Sequence, residues 1–161
     1  MVVDIRKILY CTDLSQNAVF AFRYAVQLAK LTGAEIHILH VVEELSADAK
    51  LALQAYVMDG DVRDKALRNR TNQAKAHLQE RLDTFWAEQD EEDRKVRHQI
   101  VSVDAHEAYP AEQILKSAIE HHCDLVVMGA HEKGLSHNFL GSVAKSVLRR
   151  SRIPTLIVPL P

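Results

Sequence analysis

Residues 124–128, Asp-Leu-Val-Val-Met, are a short, nearly unbroken apolar run that stops at Gly129. Such a run without polar alternation predicts a strand covered on both faces, as in the interior of a parallel sheet. Residues 5–11 (IRKILYC) are also apolar and partly β-branched, and predict another strand. A further strand is expected at 35–42 (EIHILHVV), with Ile36, Ile38 and Val41 on the inner pattern. Residues 95–103 (KVRHQIVSV) alternate polar and apolar, which suits a strand at a sheet edge. The last strand runs from Ile153 to Val158. Pro154 near its start points to a strand end or an edge position.

Helical patterns separate these runs. Asp13 and Ser15 are both good helix caps. After them Ala18, Ala21, Phe22, Ala25, Leu28 and Ala29 recur at helical spacing, and Gly33 suits the stop. Residues 43–55 predict a short helix, and Asp59-Gly60 a turn. A long polar helix is expected over 62–89, with Ala66, Ala74, Leu78, Leu82 and Phe85 on one face and Trp86 beside them. The charge run 88–94 reads as a solvated helix end and turn. Pro110 suits a first helical turn, in a helix reaching His122 that points Ile114, Leu115 and Ile119 inward. A final helix is expected from Ser142 to Arg150. The order is strand and helix in alternation, so the expected fold is α/β. It is a parallel sheet with right-handed crossovers and helices on both faces, in one domain over residues 1–161.

Composition removes whole classes of function. A net charge of −2 gives no basic field for nucleic acid. An aromatic content of 6% argues against a base-stacking platform for single strands. No apolar run approaches the roughly 20 residues of a membrane span. The start, MVVDIRKILYCTDLS, does not have the pattern of a signal peptide, so the cytoplasm is the expected compartment. Cys11 and Cys123 lie far from any metal-finger spacing and read as small buried apolar residues. His121-His122-Cys123 falls in a helix-to-strand turn, where neighbours point apart, and reads as structural rather than metal-binding. Arg149, Arg150 and Arg152 suit the negative end of a helix dipole, the other reading being contact with a partner or an anion. No G-x-S-x-G elbow and no G-x-x-x-x-G-K-[ST] phosphate loop is present.

Ligands of open parallel sheets bind beyond the carboxyl ends of the strands. Three segments fall there: Thr12-Asp13, Val41-Val42-Glu43, and Gly129 onward. The last reads GAHEKGLSHNFLGS. Gly129 allows a sharp exit from the strand, and Gly134 gives further freedom. Gly141-Ser142 opens a helix whose dipole suits a phosphate. His131, Lys133 and His137 read either as cations of the site or as solvated loop residues. Ser142 reads either as a hydroxyl ligand or as a helix cap. Asp13 reads as a cap, as an acceptor for a base or ribose, or as both.

Four segments together resemble the universal stress protein family. They are KILYCTDLSQNA, LHVVEE, AYPAEQIL and DLVVMGAH followed by GSVAKSVLRRSRIPTLIVP. The resemblance implies a Rossmann-like five-stranded parallel sheet of order 3-2-1-4-5. It also implies a homodimer paired through the last strand, between Ile153 and Val158. One branch of the family binds ATP through a loop G-x-x-G, nine residues, then G-S/T. Here Gly129 and Gly141-Ser142 match its two ends. Glu132 stands at the second glycine, the loop is one residue shorter, and Gly134 is available after a shift. Carried over by position, Thr12, Asp13 and Val41 flank base and ribose, and Gly129, Gly141, Ser142 and Val143 hold phosphates. His131 and Gly134 complete the set. The implied cofactor is ATP or AMP, with Mg accompanying ATP, and hydrolysis is at most slow. The implied role is a stress-response regulator. The competing reading is a dimeric interaction module of the same fold that binds no nucleotide.

Overall fold

The computed structural model describes residues 2–130 and 140–161. Five parallel strands form one sheet in the order β3-β2-β1-β4-β5. They are β1 (Lys7–Thr12), β2 (Glu35–Glu43), β3 (Ile100–Ala108), β4 (Leu125–Gly129) and β5 (Thr155–Val158). The helices are α1 (Gln16–Thr32), α2 (Ala47–Tyr56), α3 (Gly60–Glu88), α4 (Glu91–Arg94), α5 (Pro110–Glu120) and α6 (Ser142–Arg150).

The period-2 geometry of a strand sends alternate residues of the sheet into two separate cores. Ile8, Tyr10, Ile36, Ile38 and Val127 face α1 and α3. Leu9, Cys11, Leu39, Val126 and Met128 face α5 and α6. The first core is aromatic. Phe22, 2% exposed, lies 4.6 Å by ring centroids from both Tyr10 and Phe85, with Trp86 edge-on at 5.8 Å. Fully burying one such side chain contributes roughly 1.5–3 kcal/mol. The second core holds aliphatic residues, Met128 and both cysteines. Burial pushes the Cys123 thiol up to about 11 and the Cys11 thiol still further. Neither is a thiolate at neutral pH.

Several sequence expectations need correction. Residues 95–99 were expected to open the third strand, but Lys95–Gln99 is a 3-10 helix and β3 begins at Ile100. The corner is held down onto α1. Asp93 accepts from Lys30 at 2.8 Å and Gln27 at 3.1 Å, and Gln99 donates to the carbonyls of Ala29 and Ala34. Val96, 2% exposed, is drawn into the aromatic core. Such ties override an alternating pattern. The charge run 88–94 holds the solvated end of α3 as expected, but in place of a plain turn Asp90 caps the short α4, accepting from Asp93 N at 2.8 Å. Asp59-Gly60 is the start of α3 rather than a free turn, since Asp59 accepts from Asp61 N and Val62 N.

The stripe expected along α3 is real only at its carboxyl end. Leu78, Leu82, Phe85 and Trp86 are buried, while Ala66 is exposed and Ala74 half-buried. Neither α2 nor the first half of α3 has a buried residue. In α5, Ile114 is buried as expected and Leu115 half-buried, but Ile119 is 67% exposed. Ser117 and Ala118 take the inward positions. Residues 114 and 118, four apart, define that face.

The two edges of the sheet differ. β3 is nine residues long and carries Asp104 and Glu107, the latter 3.2 Å from Arg70 of α3. β5 is four residues, Thr-Leu-Ile-Val, with no charge.

At the amino side of β2, His37 is 8% exposed, with Nδ1 2.8 Å from Ser102 Oγ. Its ring stacks on His121 at 4.2 Å. Burial first, then the positive charges His121 would gain and Lys7 carries, hold the imidazole below its usual value, against Glu35 and Asp104. The folded chain therefore resists a proton that the unfolded chain accepts below about pH 6.5. Stability contributed by neutral His37 is full above that pH and falls as the solution is acidified. His37→Gln is expected to flatten the fall in urea midpoint between about pH 7 and pH 5. An unchanged slope would assign the acid sensitivity elsewhere.

Candidate functional site

The carboxyl ends of β1, β2 and β4 and the amino ends of α1, α5 and α6 surround a cleft of about 760 Å³. Its walls include Thr12 and Asp13 from β1 and its following turn, Val41 from β2, and Gly129 from β4. Gly141, Ser142 and Val143 line it from the start of α6. Those residues, picked from three distant segments, thus share one cavity. His131 and Gly134, with Glu132, Lys133 and His137, lie outside the described residues.

The turn after β1 is built from its own side chains. Leu14 has φ 64, in the left-handed region that branched and bulky residues avoid. Thr12 Oγ1 accepts from Leu14 N at 3.0 Å, and Asp13 Oδ1 accepts from Ser15 N at 2.9 Å. Ser15, not Asp13, caps α1, accepting from Ala18 N at 3.2 Å. Asp13 is exposed at the rim while Thr12 is 9% exposed. His40 Nδ1 donates to the Thr12 carbonyl at 2.8 Å and locks the ends of β1 and β2 together.

Gly129 ends β4 against Asn17 of α1. A Cβ added there would stand 2.6 Å from Asn17 Nδ2 and 3.1 Å from Cγ. Only glycine allows that approach. Gly141 is the N-cap of α6, with φ −61 and ψ 156, and its N–H donates to the Ala130 carbonyl at 2.8 Å. Ser142 is thus the first helical residue rather than the cap.

Three helix starts bring the positive ends of three dipoles to the cleft. Glu112 lies in the first turn of α5, and Asp13 sits just ahead of α1. The first turn of α6 has no acidic residue. An anion is therefore favoured most at α6. Leu39 and Val41 of β2, Ile114 of α5 and Met128 of β4 give the cleft an apolar lining, which suits the flat face of a base. Cys11 lines the cleft too, but its raised thiol is no nucleophile. Among the described residues, no group of three or more His, Cys, Asp or Glu is placed to hold a metal ion. No described helix is long and apolar enough to cross a membrane.

Sequence reasoning missed several wall residues: Asn17, His40, Tyr109, Pro110, Glu112 and Arg150. Pro110 was a usable signal, since it marks a helix start following a strand end. The sequence offers Arg150 as a helix-end cation or as a contact for a partner or anion, without placing it in the cleft.

A family model described as the universal stress protein family matches residues 4–159. The chain is 29% identical to universal stress protein MJ0577 of Methanocaldococcus jannaschii, over 98% of this chain and 97% of that protein. A solved structure of MJ0577 aligns with TM-score 0.72 at 23% identity, covering 99% of both chains. Universal stress protein UspA from Lactobacillus plantarum aligns with TM-score 0.69 at 22% identity, over 98% of this chain and 99% of that one. A universal stress protein solved in complex with cAMP aligns with TM-score 0.55 at 19% identity, over 97% and 98%.

Proposed function

The chain belongs to the universal stress protein family, and from that premise we propose that it binds an adenine nucleotide, ATP or AMP, at the carboxyl edge of its sheet. In this reading it acts as a homodimeric, cytoplasmic regulator of the stress response. The observation that carries the reading is the start of α6, which opens into the cleft with no acidic residue in its first turn. A related protein in complex with cAMP supports the same ligand class. Val41 and its apolar neighbours would hold the base, and Thr12 and Asp13 would face base and ribose. Gly129, Gly141, Ser142 and Val143 would hold phosphates, together with His131 and Gly134 from the same loop. Mg accompanying ATP is bound largely by phosphates and water, with one or two carboxylates sufficient. Asp13 is a carboxylate of the right type at the rim. Turnover is at most slow hydrolysis.

Pairing of two copies through β5 is part of the same proposal. β5 hydrogen-bonds to β4 on one side and lies at the sheet edge on the other. Its uncharged sequence suits pairing with another strand.

Acid extraction of freshly purified protein, with chromatography of the extract, is expected to release ATP or AMP. Calorimetry should then show binding of added nucleotide by stripped protein. No nucleotide in the extract and no binding at millimolar ATP and AMP would overturn the proposal. The other reading, a dimeric interaction module without nucleotide, is favoured by the three carboxylates of Asp13, Glu43 and Glu112 in the cleft wall. It predicts melting that depends on protein concentration but not on ATP.

A further inference from the structure

Arg150, the last residue of α6, lines the cleft. Ser142, Ser146 and Arg150 stand four residues apart in turn on α6, so they share one stripe of that helix, and all three line the cavity. The backbone of Arg150 lies about 12 Å along the axis from that of Ser142. Helical side chains lean toward the amino end, so a long arginine reaches back toward the helix start. Its Nη1 lies 3.9 Å from Oε1 of Glu112, with the two side chains 51% and 63% exposed. Water weakens so long and open a pair, which leaves the guanidinium available to a better partner.

The charges around it define that partner. Asp13, Glu43 and Glu112 place carboxylates in the cleft wall. Among the described residues of the wall, Arg150 is the one lysine or arginine. A nucleotide monophosphate seated at α6 adds modest charge. Each further phosphate adds charge toward those carboxylates, at a cost that only a nearby cation offsets.

We infer that Arg150 is a specificity-determining residue that reads phosphate number: a di- or triphosphate draws its guanidinium from Glu112, whereas a monophosphate leaves the pair intact. The inference rests on the nucleotide reading above and adds the class of ligand selected, adenine nucleotides with more than one phosphate. Arginine suits the role because its planar fork grips phosphate oxygens in pairs.

The test is calorimetric titration of ATP and of AMP into the full-length protein and into Arg150→Gln, Arg150→Lys and Glu112→Gln. Arg150→Gln should weaken ATP about fivefold and leave AMP within about twofold. Arg150→Lys should keep most of the preference. Glu112→Gln should tighten ATP, since it removes both a competing partner and a like charge. Raised salt should erode the ATP-to-AMP ratio in the unmodified protein and not in Arg150→Gln. Equal weakening of both nucleotides by Arg150→Gln, no weakening of ATP, or unchanged or looser ATP binding in Glu112→Gln would overturn the inference while nucleotide binding stands. If the unmodified protein binds neither ATP nor AMP, the nucleotide reading itself fails and this inference with it.

Discussion

Gly141→Glu is expected to weaken ATP and AMP binding about a hundredfold, or roughly 2.8 kcal/mol, while the protein stays folded. Gly141 has φ −61 and ψ 156, a region open to every residue type, so its backbone makes no demand for glycine. Its two backbone hydrogen bonds, from its N–H to Ala130 O and from Lys145 N to its carbonyl, need no side chain. A carboxylate at that position would sit at the positive end of α6, where helices favour negative charge. What changes is the cleft. The glutamate takes the place proposed for a phosphate, and its charge repels whatever phosphate remains. Titration calorimetry measures the loss, and thermal melting followed by circular dichroism checks the fold. Gly141→Ala separates bulk from charge and should lose far less. Full affinity in Gly141→Glu would move the phosphates away from α6.

Gly129→Ala is expected to cost about 1–3 kcal/mol of stability, the usual range for inserting a methyl into closely packed surroundings. The added Cβ would meet Asn17 Nδ2 at 2.6 Å, closer than carbon and nitrogen can stand. Asn17 is 5% exposed and lines the cleft, so its amide can yield only by leaving its present packing and turning toward the cavity. Either the amide makes that turn or the end of β4 shifts from α1. Urea denaturation of Gly129→Ala, Asn17→Ala and the double variant tests the cause. The double variant should be less destabilised than the sum of the singles, by about 0.5–3 kcal/mol. Strict additivity would show that Asn17 is not the obstacle. Both residues line the cleft, so the shift should weaken nucleotide binding as well.

The sheet was legible in the sequence because its strands are short apolar runs whose burial dominates their conformation. The unbroken run before Gly129, the caps Ser15 and Gly33 and the first-turn proline Pro110 act locally, and each is observed where local chemistry puts it. The start of β3 was not legible. Val96 and Gln99 lie in a run that alternates like a strand, yet Val96 packs into the aromatic core and Gln99 donates to the carbonyls of Ala29 and Ala34, 65 to 70 residues away. The amphipathic stripe of α3 was overestimated because alanine fits a helix equally well against a core or in water. In the site, the residues at strand ends and at the α6 start were readable because topology fixes where such ends meet. Glu112 and Arg150 were not. Each looks like a solvated helix charge, and only the packing of α5 beside α6 brings them to one wall.

The unlike edges of the sheet also set a limit on growth. A protein with two open, sticky margins can add copies without end and form fibres. Here the β3 margin is guarded by Asp104 and Glu107, with Arg70 drawn over the latter, and charges on an edge discourage another strand. Only the short, uncharged β5 margin is hospitable. Two copies joined there by a twofold axis would turn both guarded margins outward, and the assembly would terminate itself at a pair.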